Sequence, residues 1–107
     1  MNYLEISVQE LKKRMEVDPY LQLLDVREPF EVEIGFIPGS IKIPMAIVPL
    51  KIKKLDNSKE IYVYCKSGIR SARICNYLAY NQFEKVYNIK GGIKAWSNNI
   101  DANISVV

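Results

Sequence analysis

Ile61-Tyr62-Val63-Tyr64-Cys65-Lys66-Ser67-Gly68-Ile69-Arg70-Ser71-Ala72-Arg73 decides how the rest of the chain is read. β-Branched and aromatic residues run into Cys65, which predicts a strand, and beyond Gly68 the Ile, Ala, Cys, Leu spacing predicts a helix. The tight loop between them sets the Cys65 sulfur over the helix N-terminus. The first N–H groups of a helix have no internal partner and the macrodipole adds roughly +0.5 charge there, so an anion above them is stabilised. A thiolate is such an anion. Lys66, Arg70 and Arg73 add formal positive charge, and cysteines in such surroundings ionise at about 3.5 to 7.5 instead of ~8.5. Cys65 is therefore expected to be largely thiolate at neutral pH. The blander alternative, a small buried hydrophobe, fits poorly with Lys66, Ser67 and Arg70 as neighbours.

YCKSGIRSAR resembles the active-site loop of the rhodanese, or sulfurtransferase, family. The resemblance implies that Cys65 accepts a sulfur atom as a persulfide within a cradle of backbone amides. It also implies roles around the loop. The amides of Lys66, Ser67, Gly68, Ile69 and Arg70 hold the persulfide, Arg70 organises the loop, and Lys66 at the rim draws in an anionic donor. Four residues separate Cys65 from Arg70. Protein tyrosine phosphatases and the related dual-specificity and arsenate-reducing enzymes have five, and at that place this chain has Ser71. A smaller ring suits a single sulfur about 2.05 Å from the cysteine better than a tetrahedral phosphate. Sulfur transfer is favoured over phosphoryl transfer.

With 107 residues the chain is read as one domain, able to bury about 65% of its unfolded surface. Hydrophobic residues at 49% and charged residues at 25% exclude disordered, collagen-like and transmembrane classes. MNYLEISVQELKK has no apolar core and no small-residue cleavage site, so no secretory signal is read and a cytoplasmic location is expected. Two cysteines in such a chain fit a reducing compartment better than a structural disulfide. The sequence contains no histidine. That excludes Cys-His and Ser-His-Asp catalysis and removes the commonest zinc ligand, so no metal is expected. A preformed thiolate attacking a sulfane sulfur needs no general base. The net charge of +3, with Lys51, Lys53 and Lys54 clustered, reads as a solvated helix face, since no aromatic residues interleave for base stacking.

From the start of the chain, Tyr3 to Ile6 predicts a short strand. Ser7 as N-cap with Glu10 three residues on predicts a capping box and a helix through Val8, Leu11 and Met15, ended by Asp18 and Pro19. Tyr20 to Val26 is a continuous apolar run, expected of a strand buried on both faces of a parallel sheet. Strand and helix alternate from there, the signature of an α/β fold. Asp25 and Arg27 fall at the carboxyl end of that strand, where such sheets bind ligands. They are read as a buried ion pair tying the strand end to nearby loops, in preference to direct substrate contacts. Glu28, Glu31 and Glu33 are expected to face solvent on a short helix. Pro44 to Lys54 predicts a helix with Ile47, Leu50 and Leu55 inward and Pro49 near its first turn. Past the loop, Ala72, Cys75, Leu78 and Ala79 share one face, which makes Cys75 a packing residue and not a resolving thiol. Val86 to Ile89 is a last strand, and Trp96 a core anchor.

Two more stretches resemble rhodanese domains. DVREPFEVEIGFIPGSIKIP, Asp25 to Pro44, matches their Asp-Val-Arg, Glu, Gly-His-Ile-Pro-Gly-Ala pattern, with Phe36 in place of the histidine and Ser40 in place of the alanine. Gly91-Gly92-Ile93-Lys94-Ala95-Trp96 matches their loop and final helix beside the active site. The chain is thus identified as a single rhodanese-type domain over residues 1–107. The resemblance implies a three-layer α/β fold with a parallel sheet of about five strands flanked by helices. It also implies a thiosulfate sulfurtransferase-type enzyme working through a Cys65 persulfide. The donor is a small anion, thiosulfate or a persulfide, and the acceptor is cyanide, a thiol or a protein. No cofactor, nucleic acid or membrane partner is expected. Competing readings are a sulfur-relay module exchanging sulfur with protein persulfides and a non-catalytic binding domain on the same scaffold. A phosphatase or arsenate reductase is disfavoured by loop length.

Overall fold

The computed structural model describes residues 2–107. Strand and helix alternate: β1 (Leu4–Ile6), α1 (Val8–Val17), β2 (Gln22–Asp25), α2 (Pro29–Ile34), β3 (Ile41–Lys42), α3 (Val48–Lys51), β4 (Ile61–Tyr64), α4 (Ile69–Tyr80), β5 (Val86–Ile89) and α5 (Gly92–Asn99). The five strands make one parallel sheet in the order β1-β5-β4-β2-β3. From β2 the chain runs outward to β3, and from β4 it runs the opposite way to β5. That divergence opens a crevice at the carboxyl ends of β2 and β4. Asp25 lies in register with Tyr64, and the Val26 N–H reaches the Tyr64 carbonyl at 3.2 Å, so Arg27 and Cys65 leave the sheet at the same edge.

Helices cover both faces, which is why β4 and β5 are buried along their whole length. Alternation along β4 sends Ile61 and Val63 into one core with Cys75 and Leu78 of α4. Tyr62 and Tyr64 go into the other with Leu11 of α1 and Ile93 and Trp96 of α5. Cys75 is fully buried, as expected of a packing residue, and burial pushes its thiol well above the ordinary range. Ser7 caps α1 by accepting the Glu10 N–H at 3.0 Å, while the Glu10 carboxylate turns to Arg14 at 3.0 Å.

Elsewhere the structure corrects the sequence reading. β1 and β2 are shorter than expected, without Tyr3 and without Tyr20, Leu21 and Val26. Pro44 to Lys54 is not one helix: α3 is flanked by 3-10 turns at Met45–Ile47 and Ile52–Lys54. A 3-10 turn takes about 3.0 residues where an α-turn takes about 3.6, so the inward face slips along the sequence. Val48, Ile52 and Leu55 pack against the core, and Ile47 and Leu50 lie at the surface, Leu50 85% exposed. Pro49 does sit in the first turn of α3. The segment after α5 folds back: Ser97 Oγ donates to the Ile104 carbonyl at 2.7 Å, and Ser105 covers Gly35 so closely that any Cβ there would strike its carbonyl. Among the described residues no helix is long and apolar enough to cross a membrane.

Candidate active site

Cys65 follows the last residue of β4 and is 1% exposed. Its sulfur accepts the N–H of Gly68 at 3.1 Å, the N–H of Ser71 at 3.4 Å and the hydroxyl of Ser71 at 3.3 Å. The loop that presents these donors is shaped from outside. At the start of α5, Ile93 N–H donates to the Cys65 carbonyl at 2.9 Å and Lys94 N–H to the Lys66 carbonyl at 3.1 Å. A trans peptide is planar, with its C=O and N–H on opposite sides. Drawing these two carbonyls toward α5 therefore turns the N–H groups of Lys66 and Ser67 the other way. Gly92, at φ +60°, makes the close approach possible, because a Cβ there would collide with the backbone carbonyls of Cys65 and Lys66. Gly68, at φ +106°, makes the turn into α4.

Burial pushes the Cys65 thiol up. The Ser71 hydroxyl and the N–H groups of Ser71, Gly68 and Ser67 pull it down further, leaving it below its ordinary value. The direction agrees with the sequence reading but the source differs. Neutral donors surround the sulfur, and the Arg70 guanidinium is engaged elsewhere.

Its partner is Glu31, which the sequence reading placed in solvent. Arg70 Nη1 and Nη2 meet the two Glu31 carboxylate oxygens at 2.7 and 2.9 Å, and Glu31 is only 6% exposed. The Arg70 hydrogen bonds hold the Glu31 carboxyl at about 2, well below the carboxylate range, although burial pushes the other way. Asp25 and Arg27 stand behind this pair and make no hydrogen bond to the sulfur. Both are buried, joined by Arg27 Nε at 3.0 Å and Nη2 at 2.7 Å to the Asp25 carboxylate. Arg27 also donates to the carbonyls of Glu31 at 3.4 Å and Gly35 at 2.8 Å, which fastens α2 to the end of β2. Removing one partner of such a buried pair costs about 3–5 kcal/mol, since a lone buried charge remains. The chain of contacts therefore runs from Asp25 through Arg27 and α2 to Glu31, then Arg70 and the loop.

A second group absent from the sequence reading lies beneath the sulfur. Ser71 Oγ is 2.6 Å from Asn88 Oδ1, and Asn88 Nδ2 donates to the Gly68 carbonyl at 3.1 Å and to Glu5 at 3.2 Å. Helical spacing points to Ser71, four residues before Cys75 on the inward face of α4, and a lone amide in an apolar strand points to Asn88. Of the remaining loop residues, Lys66 is half-buried at the rim, Ser67 is exposed and Ile69 turns its side chain outward, 69% exposed. Phe36 carries the Lys42 ammonium 3.6 Å from its ring centre, so the residue standing for histidine packs its own loop against β3.

A central strand that delivers a cysteine sulfur onto inward N–H groups at a helix start defines a recognisable class of α/β domain. The chain belongs to the rhodanese-like family: the family model described as Rhodanese-like domain matches residues 7–99. The Bacillus subtilis protein YtwF, for which sulfurtransferase activity is proposed, is 44% identical over 96 residues, covering 90% of this chain and 92% of its own. A sulfurtransferase of Allochromatium vinosum is 33% identical over 93 residues, covering 87% of each chain. The crystal structure of a rhodanese-like domain protein from Staphylococcus aureus superimposes with a TM-score of 0.84 at 30% identity, covering 97% of this chain and 98% of that one. These relatives support sulfur transfer as the general chemistry of the chain.

Proposed function

We propose that the chain, acting as one domain, moves a sulfane sulfur from thiosulfate or a persulfide donor to a thiol, a protein acceptor or cyanide through a persulfide on Cys65. The observation that carries this is the nearly enclosed Cys65 sulfur with the Gly68 and Ser71 N–H groups aimed at it. The thiolate attacks the outer sulfur of thiosulfate, a new S–S bond forms, and the old one breaks with its electron pair leaving on sulfite. The extra sulfur carries the negative charge into the ring of loop amides from Lys66 to Arg70. An acceptor nucleophile then takes that sulfur and the electron pair of the Sγ–S bond returns to Cys65. Each half balances, with covalent catalysis and ping-pong kinetics. Arg70 acts as a clasp, held by Glu31, and the charge offered to an anionic donor is that of Lys66 at the rim. Asp25 and Arg27 support the loop at one remove. Both cysteines are free thiols, which fits a reducing, cytoplasmic compartment.

The test is intact mass after incubation with thiosulfate, for the native chain and for Cys65→Ser. A gain of one sulfur, discharged by cyanide and missing in the variant, is expected. A variant that still transfers sulfur overturns the assignment, and a native chain that gains none from thiosulfate or from a protein persulfide points to a binding module.

A further inference from the structure

The buried hydroxyl of Ser71 has one hydrogen and two acceptors in reach: Asn88 Oδ1 at 2.6 Å and Cys65 Sγ at 3.3 Å. Asn88 has no freedom to resolve this by turning over. The Gly68 carbonyl and the Glu5 carboxylate only accept, so both require its Nδ2 and leave Oδ1 facing Ser71. Ser71 and Asn88 are 0% and 1% exposed, which leaves no open water to serve whichever acceptor goes without.

We propose that Ser71 is a catalytic residue of the sulfur-release step, its hydroxyl resting on Asn88 while Cys65 carries a persulfide and swinging to Sγ as that sulfur departs. The inference rests on the sulfurtransferase reading and assigns a direction to it. In the persulfide the charge sits on the outer sulfur, and Sγ is a neutral divalent atom, single-bonded to Cβ and to that sulfur, that accepts weakly. When the acceptor attacks, the S–S electron pair collapses onto Sγ, and a hydrogen bond to a charged atom replaces one to an amide oxygen. The donor is thus strongest in the transition state of release, the condition under which an interaction speeds a step. In the loading half the same bond is made in the ground state and loosens as the thiolate attacks. A thiolate of lower pKa is a better leaving group and an intrinsically weaker nucleophile, so the hydroxyl pulls the two halves in opposite directions. Asn88, held by Gly68 and Glu5, is a positioning residue that parks the hydroxyl between events.

The experiment separates the halves in single turnovers, persulfide formation from thiosulfate and its discharge by cyanide, in the native chain, Ser71→Ala and Ser71→Thr. The thiol pKa of each is read independently from the pH dependence of iodoacetamide alkylation. For Ser71→Ala, discharge is expected to slow roughly tenfold or more and the thiol pKa to rise by about one unit or more. Loading, measured above that pKa, is expected to be no slower. Ser71→Thr, which returns the hydroxyl, is expected to restore discharge and pKa together. Unchanged discharge in Ser71→Ala, or equal slowing of both halves with an unmoved pKa, overturns the proposal and leaves Ser71 a packing residue. If the native chain takes up no sulfur from thiosulfate or from a protein persulfide, the sulfurtransferase reading fails and the release role with it. The alkylation pKa then still decides, separately, whether the Ser71 hydroxyl donates to Sγ.

Discussion

α4 and α5 begin alike and serve opposite ends. Each follows a glycine in the left-handed region, Gly68 at φ +106° and Gly91 at φ +79°, and neither has a side-chain cap. The amides at the start of α4 meet the Cys65 sulfur. Those at the start of α5 meet the carbonyls of Cys65 and Lys66. Every helix N-terminus has N–H groups in want of an acceptor. What the fold lays on them decides whether the end becomes an anion site or a piece of scaffold. Here the scaffold end makes the anion end possible, because α5 draws the loop carbonyls outward and so leaves the loop amides facing the sulfur.

One substitution placed at different glycines separates these roles. Gly92→Ala puts a Cβ into two backbone carbonyls of the loop. The expected result is the largest of the series, a stability loss of about 3 kcal/mol or more with sulfur loading abolished, read by urea unfolding and intact mass. Next comes Glu31→Gln, which cuts the Arg70 clasp and leaves both helix starts untouched. Arg70 keeps 31% side-chain exposure, so its orphaned charge can reach water, and about 1–3 kcal/mol is expected together with slower persulfide formation. Gly68→Ala should do less to stability, because its Cβ would meet nothing nearer than 3.7 Å and only the left-handed backbone is strained, by about 1–2 kcal/mol. A larger loss at Gly68 than at Gly92 would reverse the assignment of anion end and scaffold end.

The smallest effect expected is in acid. Glu31 sits at about 2 in the folded chain against an ordinary 4.5, so between those values the unfolded chain binds the extra proton. Its contribution to stability is complete above pH 4.5 and disappears as the pH falls through about 2. Unfolding free energies of the native chain and Glu31→Gln, measured between these limits, should converge toward low pH. Parallel curves would mean that the Glu31–Arg70 bond does not hold in solution.

The sequence reading succeeded where a property depends on neighbours a few positions apart. The strand before Cys65, the capping of α1 by Ser7, the inward place of Cys75 and the α/β alternation all follow from periods of two or 3.6 residues. It failed at the Pro44–Lys54 stretch, where the turns change from 3-10 to α and back, so one helical period assigned Leu50 to the core. It failed again at Glu31, since three glutamates on a short helix look alike and only one of them finds an arginine 39 positions away.

What the sequence determined by itself was the placement of the Cys65 sulfur and its loop: a cysteine between a strand and a helix start, with four residues to Arg70. Tertiary structure alone decided how the sulfur is served. Arg70 was assigned to the thiolate by proximity along the chain and is bound to α2. Gly92 was read only within a loop resembling the family's, and Asn88 and Glu5 were given no role, because carbonyls drawn aside by another helix and an amide wedged between a hydroxyl and a carboxylate exist only once β1, β5 and α5 are packed beside β4. Local spacing fixes which way a side chain points, whereas the partner it meets depends on which distant segments the buried sheet brings together.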